Sequence, residues 1–539
     1  MLTDWGIIMG NKVYLFDTTL RDGEQGKGIS FTIDDKIKIA KLLDSIEIDY
    51  IEGGWPASNP KAAQFFQAMQ HIKLHHSKLV AFGSTRRAKN PAASDPNLKA
   101  IVNAKVPAAA IFGKTWDLHA TEILKISLDE NLELIYDSIK FLKDARMEVF
   151  FDAEHFFDGY KKNPAYALQA IGAAQQAGAD VLVLCDTNGG TLPFEIAKII
   201  EEIKPQIKTP IGIHAHNDSE LAVANSITAI QHGAIQVQGT FNGYGERCGN
   251  ANLCSIIPIL KIKMGIDCIN GNNLTQLTRL SHHISEIANL VPNDSLPFVG
   301  KNSFAHKAGI HVDAVLKNPE SYEHMDPRLV GNKQDVTISE LAGISNLVYK
   351  AQALGIEIDK NNPQIKELIK QIKEMENKGY TFEEGEASFE LLLRRSFGLY
   401  KRFFTLEGFR VIDEKRNHDD AVIVEATIKI SFNDKIYHTA AEGNGPVSAL
   451  DNALRKALES IYPSLKTLHL TDYKVRVLDS AEGTGALVRV LIESTDGSDS
   501  WGTVGVGTNL IEASWNALID SIEYKLLKDE KNGKQTGNN

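Results

Sequence analysis

Two short polar segments carry most of the chemistry this sequence can do. The first is Asp17-Thr-Thr-Leu-Arg-Asp-Gly-Glu-Gln25, which follows the apolar run Val13 to Phe16. The second is His214-Ala-His-Asn-Asp218, at the end of another apolar run. Side chains alternate along a strand, so His214 and His216 point the same way. Two neutral imidazoles and a carboxylate such as Asp22 can hold a divalent ion and leave positions open for substrate. The amide oxygen of Asn250 can complete the set. Mixed nitrogen and oxygen ligation suits Mg2+, Mn2+, Co2+ or Zn2+ and does not choose among them. Such an ion can bind a 2-oxo acid and polarise its ketone. Arg21 can neutralise the charge that develops there, and Thr187 can donate to the carboxylate. Glu154 or His311 can take a proton from a carbon acid. Each segment alone has a plainer reading, the first as a loop with surface salt bridges, the second as a chance pair. Together they favour a metal site, with proton transfer on a held keto acid as one option among several.

These residues need a frame that gathers distant strand ends. Strand-like runs fall at 13–17, 49–52, 78–83, 108–113, 148–152, 180–185, 210–213 and 235–240. Amphipathic patterns lie between them, such as Asp34 to Ile46, Ala62 to Ile72 and Tyr166 to Ala177. Eight strand–helix units predict an α/β fold of the TIM (β/α)8 type, with its site at the carboxyl ends of the strands. A doubly wound sheet is the rival, but no glycine-rich phosphate loop follows the first strand. The strand ends would supply Asp17, Arg21 and Asp22, then Glu52, then Arg86 and Arg87, then Asp152, Glu154 and His155. Thr187, the histidine pair and Asn250 follow from later strands. The catalytic barrel is expected over 9–285.

Residues 286–395 read as a helical linker subdomain over the active site, with helices at Ile338 to Leu354 and Pro363 to Lys378. Its polar opening, Lys301 to Asp313, reads either as a solvated loop or as a contribution to the site. Residues 396–528 contain a repeat: strand-like runs, a glycine turn and a helix at Gly443 to Leu458, then the same order ending in Gly507 to Ile522. This predicts a C-terminal α+β domain for regulation or dimerisation. Residues 529–539 are polar and expected to be disordered.

The net charge of −11 gives no support to nucleic-acid binding. No apolar run reaches the ~20 residues of a membrane span. Four cysteines without a CxxC pair fit a reducing cytoplasm. Met9 is a candidate start, because the ordered pattern begins just after it. Cys248 is expected to be a partly buried packing residue. Arg86 and Arg87 are either exposed or positioned for coenzyme phosphates.

The segments Asp17–Gln25, His214–Asp218 and Gly245-Glu-Arg-Cys-Gly-Asn-Ala-Asn252 together resemble the DRE-TIM metallolyase superfamily. Within it, the chain is similar to the acetyl-CoA-dependent condensing enzymes, which are the 2-isopropylmalate, homocitrate and citramalate synthases. The terminal repeat resembles their leucine- or isoleucine-sensing domain. The resemblance implies metal ligation by Asp22, His214 and His216, with Asn250 as fourth ligand or close neighbour. It implies Arg21 at the keto oxygen, Thr187 at the carboxylate and Glu154 near the acetyl group. His311 and Tyr322 would be lent by the linker region, across a homodimer, with Asp313 orienting His311. The expected reaction is an acyl transfer in which acetyl-CoA condenses with a 2-oxo acid and the thioester is hydrolysed. Ile51 to Pro56 and Phe151 to Gly159 resemble the citramalate-forming branch, which implies pyruvate as acceptor and isoleucine as effector. The Asp-Ala-Glu-His context of Glu154 departs from the usual Pro-Glu-Asp form. The alternatives are the leucine-pathway branch, acting on 2-oxoisovalerate, and a lyase or aldolase on the same barrel. Those lyases typically lack the terminal repeat.

Overall fold

A computed structural model of the chain describes residues 12–336, 343–415, 421–478 and 485–536. The chain divides into two compact units, Met1–Phe304 with Met325–Lys333, and Ala305–His324 with Gln334–Asn539.

The first unit is built on eight strands: β1 (Tyr14–Asp17), β2 (Tyr50–Gly54), β3 (Lys78–Ser84), β4 (Ala108–Lys114), β5 (Glu148–Glu154), β6 (Val181–Asp186), β7 (Ile211–Ala215) and β8 (Gln236–Gly239). Each pairs in parallel with the next, and β1 pairs with both β2 and β8, so the sheet closes into a barrel. The strands are buried on both faces, which is why they read as nearly unbroken apolar runs. Helices return the chain between strands. Thr32, Asn59, Asp95, Ser127 and Asn163 start five of them with side chains that accept first-turn N–H groups.

Alternation sorts the side chains. Leu15, Ile51, Val149, Phe151, Leu182, Ile213 and Val237 pack outward beneath the helices. Phe16, Tyr50, Val80, Phe82, Phe150, Val183 and Cys185 fill the interior. Phe150 makes edge contacts with Phe16 and Tyr50 at centroid separations of 5.3 and 4.8 Å. The site residues share this inward parity at the strands' carboxyl ends.

The second unit opens with β9 (Ala305–His306), paired with β10 (Asp335–Val336). Helices follow at Gly309–Lys317, Ile344–Ala353, Pro363–Asn377 and Glu386–Ser396. The early part of the helix expected over Ile338 to Leu354 lies outside the described residues. The repeat is larger than the periodicity indicates. Each copy has three antiparallel strands and a helix. The first copy is β11 (Thr405–Glu414), β12 (Ile423–Phe432), β13 (Lys435–Gly443) and the helix Pro446–Leu458. The second is β14 (His469–Val477), β15 (Val488–Thr495), β16 (Ser500–Gly507) and the helix Leu510–Thr536. The register slips in the leading strand of each copy, between Leu406 and Gly408 and between Leu470 and Asp472. Such irregularities break the period of two and hide a strand from pattern reading. The last helix also continues past Lys528, where a disordered tail was expected; Lys525 pairs with Asp529 one turn on, at 2.7 Å. No described helix is long and apolar enough to cross a membrane.

Phe150 is fully buried in the barrel interior. Phe150→Ala should destabilise the barrel by about 3–5 kcal/mol, read as a lower urea midpoint for its unfolding.

Candidate active site

The turn after β1 is fixed from beneath. Asp17 accepts from the Thr19 N–H at 2.9 Å and from its hydroxyl at 2.8 Å. Thr19 Oγ1 in turn accepts from the Phe241 N–H at 2.9 Å, which ties this turn to the loop after β8. Burial pushes the Asp17 carboxyl up to about 7, against the pull of the Thr19 bonds.

That turn presents Arg21 and Asp22. Arg21 Nε donates to Glu52 Oε2 at 2.6 Å, its Nη1 lies 3.3 Å from Asp22 Oδ2, and its guanidinium sits 3.9 Å from the centre of the Phe82 ring. Glu52 therefore sets the orientation of the guanidinium. Burial raises the Glu52 carboxyl to about 7, although Arg21 pulls it down. Asp22 goes the other way. Burial opposes its charge, but Arg21 and the two histidines prevail and hold it far below the usual carboxylate range.

His214 and His216 leave the end of β7 on the same side, with Nε2 atoms 3.4 Å apart. Asp22 Oδ2 lies 3.3 Å from His214 Nε2 and 3.9 Å from His216 Nε2. All three residues are buried, and their donor atoms lie within 4.8 Å of one another. Burial, followed by repulsion from His214, pushes His216 down to about 4, so its imidazole is neutral near pH 7. A backbone bridge places Asn250 beside His216. Asn250 Nδ2 donates to the Tyr244 carbonyl at 3.0 Å, while its Oδ1 and Asp22 Oδ1 are buried without a hydrogen-bond partner. Buried orphan oxygens are costly, and a neutral imidazole beside an ionised carboxylate is a ligand set for a divalent cation. The group can hold a metal; the geometry does not select which.

The turn and the histidines line one cavity of about 430 Å³, together with Glu154, Thr187 and Asp152. Glu154 is paired with Lys114. Thr187 Oγ1 accepts from the His155 N–H at 2.9 Å, leaving its own O–H to donate elsewhere. One wall is aromatic: Trp55 meets Phe82 and Phe112 edge-on, both at 5.8 Å.

The structure thus brings Arg21, Asp22, Glu154, Thr187, His214 and His216 around one cavity, with Asn250 beside His216. His311, Tyr322 and Asp313 belong to the second unit. There the His311 and Tyr322 rings stack at 4.3 Å. Asp313, expected to orient His311, pairs instead with Lys317 at 2.6 Å and accepts from Ser345 at 3.1 Å. Both residues lie on the helix Gly309–Lys317, where positions two apart point away from each other. Cys248 is exposed rather than partly buried. Arg86 is committed to Asp137 at 2.7 Å and to the carbonyls of Ala88 and Asn90. Lys114, Phe112, Phe82 and Gln238 were not singled out from the sequence. Each sits two or four residues along its strand from another interior residue, and that parity was the available signal.

The family pattern described as HMGL-like matches residues 12–284, the stretch that forms the barrel and carries the Asp–His–His group. The homocitrate synthase post-HMGL domain-like pattern matches 298–380, and the LeuA allosteric (dimerisation) domain matches 384–526. The chain is 57% identical to the (R)-citramalate synthase of Geobacter sulfurreducens, over 96% of this chain and 98% of that one. It is 56% identical to the (R)-citramalate synthase of Aquifex aeolicus, over 97% and 100%. A 2-isopropylmalate synthase of Methanocaldococcus jannaschii is more distant, at 33% over 97% and 96%. The chain belongs to the (R)-citramalate synthase family.

Ligand binding to the native state alone stabilises by RT ln(1 + [L]/Kd), about 2.7 kcal/mol at a hundredfold excess over Kd. Saturating Mn2+ should therefore raise the melting temperature of the protein. Asp22→Asn and His214→Ala should each abolish that rise in a calorimetric scan.

Proposed function

We propose that this chain condenses acetyl-CoA with pyruvate to give (R)-citramalate and free CoA. The observation that carries the reading is identity above 55% to (R)-citramalate synthases over nearly the whole chain. The cavity's residue set agrees with it. Asp22, His214, His216 and Asn250 would hold a divalent ion, whose contribution when bound is Lewis-acid polarisation of the acceptor ketone.

The chain's own residues account for the remaining demands. Arg21, locked by Glu52, offers a fixed positive charge where negative charge grows on the keto oxygen. The Thr187 hydroxyl is available to the acceptor carboxylate. Loss of a methyl proton from acetyl-CoA gives the nucleophile, which forms the new carbon–carbon bond at C2 of pyruvate. Water then cleaves the thioester, leaving a carboxylate and the CoA thiol. Glu154 is assigned near the acetyl group, and His311 with Tyr322 to proton transfer. Asp313 acts on the helix that carries His311 rather than on its ring. The thioester hydrolysis makes the reaction effectively one-way, which suits an early step controlled by its end product. Isoleucine is proposed as the effector of the C-terminal domain, leucine being the other outcome, and a homodimer as the working form.

Thiol release from acetyl-CoA, measured with Mg2+ or Mn2+ against pyruvate, 2-oxobutanoate, 2-oxoisovalerate and 2-oxoglutarate, should be fastest with pyruvate. Preference for 2-oxoisovalerate would move the chain to the leucine branch, and no release with any acceptor would sink the condensing reading. Arg21→Lys keeps the charge but loses the Nε donor. It should lower kcat by about 10²–10³-fold, in a steady-state assay at saturating pyruvate.

A further inference from the structure

Gln238 lies mid-strand in β8, fully buried, in register with His214 on β7. Its amide joins two partners. Gln238 Oε1 lies 2.9 Å from His214 Nδ1, and Gln238 Nε2 lies 3.1 Å from Asp152 Oδ1. Asp152 stands on β5, which is not a neighbour of β8 in the ring, so this bond spans the barrel interior. The three groups differ in how many ways they can bond. A carboxylate only accepts. An amide donates from nitrogen and accepts at oxygen. A neutral imidazole carries its proton on one nitrogen or the other. Asp152 therefore has a single preference for the amide: NH2 toward itself, oxygen toward His214. An oxygen facing His214 Nδ1 requires a proton on Nδ1. Nε2 then faces Asp22 and His216: it donates to the Asp22 carboxylate, 3.3 Å away, while no cation is bound, and offers its lone pair when a cation takes that place.

We propose that Asp152 and Gln238 are positioning residues that fix the tautomer of His214, so that Nε2 is the metal-ligating nitrogen. If the amide were reversed, Nδ1 would become the acceptor and Nε2 would carry the proton into the cation site. Outer partners of metal-bound histidines commonly serve this purpose. Here the instruction starts from a carboxylate on β5 and passes through a neutral amide. The inference rests on the metal reading of Asp22, His214 and His216.

Both layers are separable by experiment. Mn2+ binding is followed by EPR on the full chain, in the wild type, Asp22→Ala, Gln238→Met and Gln238→Glu. Gln238→Met keeps the shape but cannot accept from Nδ1, and it should weaken Mn2+ binding by about 10–100-fold. Gln238→Glu restores an acceptor, sharing a proton with Asp152, and should hold Mn2+ within about threefold of wild type or tighter. A merely space-filling role would let Met serve as well as Glu, or better. In the wild type loaded with diamagnetic Zn2+, 15N shifts of labelled histidine, assigned with His214→Asn, should show Nδ1 of His214 protonated and Nε2 bound to the metal. Gln238→Met binding Mn2+ as the wild type does, or an unprotonated Nδ1, would overturn the proposal while leaving the metal site intact. Wild type and Asp22→Ala binding Mn2+ equally would overturn the metal reading and the proposal together. The spectroscopic arm needs no variant at Gln238, so a folding failure there leaves the question decidable.

Discussion

Closing eight parallel strands into a ring divides every strand's side chains between two environments, and the rest of the first unit depends on that division. Outward positions must be apolar to pack beneath helices. Inward positions converge on a narrow axis where few side chains fit. Near the amino ends that axis is filled with Phe16, Tyr50, Phe150 and Val183. Toward the carboxyl ends the same parity yields Glu52, Asp152, Glu154, His214 and Gln238, and the packed core gives way to a cavity. The site is the top layer of the core, made polar.

That polarity is tolerated because its charges are apportioned. Asp22, Glu52 and Asp152 surround a single guanidinium. Glu52 and Asp152 are raised by burial to about 7 and about 6, so Asp152 is still mostly a carboxylate near pH 7, and Asp22 is held far lower and stays fully ionised. Asp22 is also the carboxylate nearest the two histidines, so the negative charge is concentrated where a cation belongs. Truncating one member of such a buried set leaves the others without compensation, which costs more than the lost bond itself.

Most of the barrel was legible in the sequence because its strands are short and its apolar runs recur at even intervals. The cation group was legible because His-x-His is adjacent in sequence and strand alternation fixes its geometry. What escaped depended on tertiary register. Gln238 is one polar residue within Gln236-Val-Gln238, and only pairing with β7 places it level with His214. The leading strand of the first C-terminal repeat escaped because its register slips at Gly408. The partners of Asp313 were not legible either, because they depend on a helix that spaces it away from His311 and toward Lys317.

The thiols show a further use of this burial pattern. Cys185, Cys254 and Cys268 are buried, and burial pushes the latter two up to about 12 and the first well above its ordinary value. Cys248 alone of the four faces solvent, in the loop after β8. Thiolate is the reactive form, so alkylating dyes discriminate by exposure and acidity. The native chain therefore offers a fluorophore a single attachment point, three residues along from Gly245, with no need to engineer the others away. In a thiol-release assay, the same residue sets a fixed protein background.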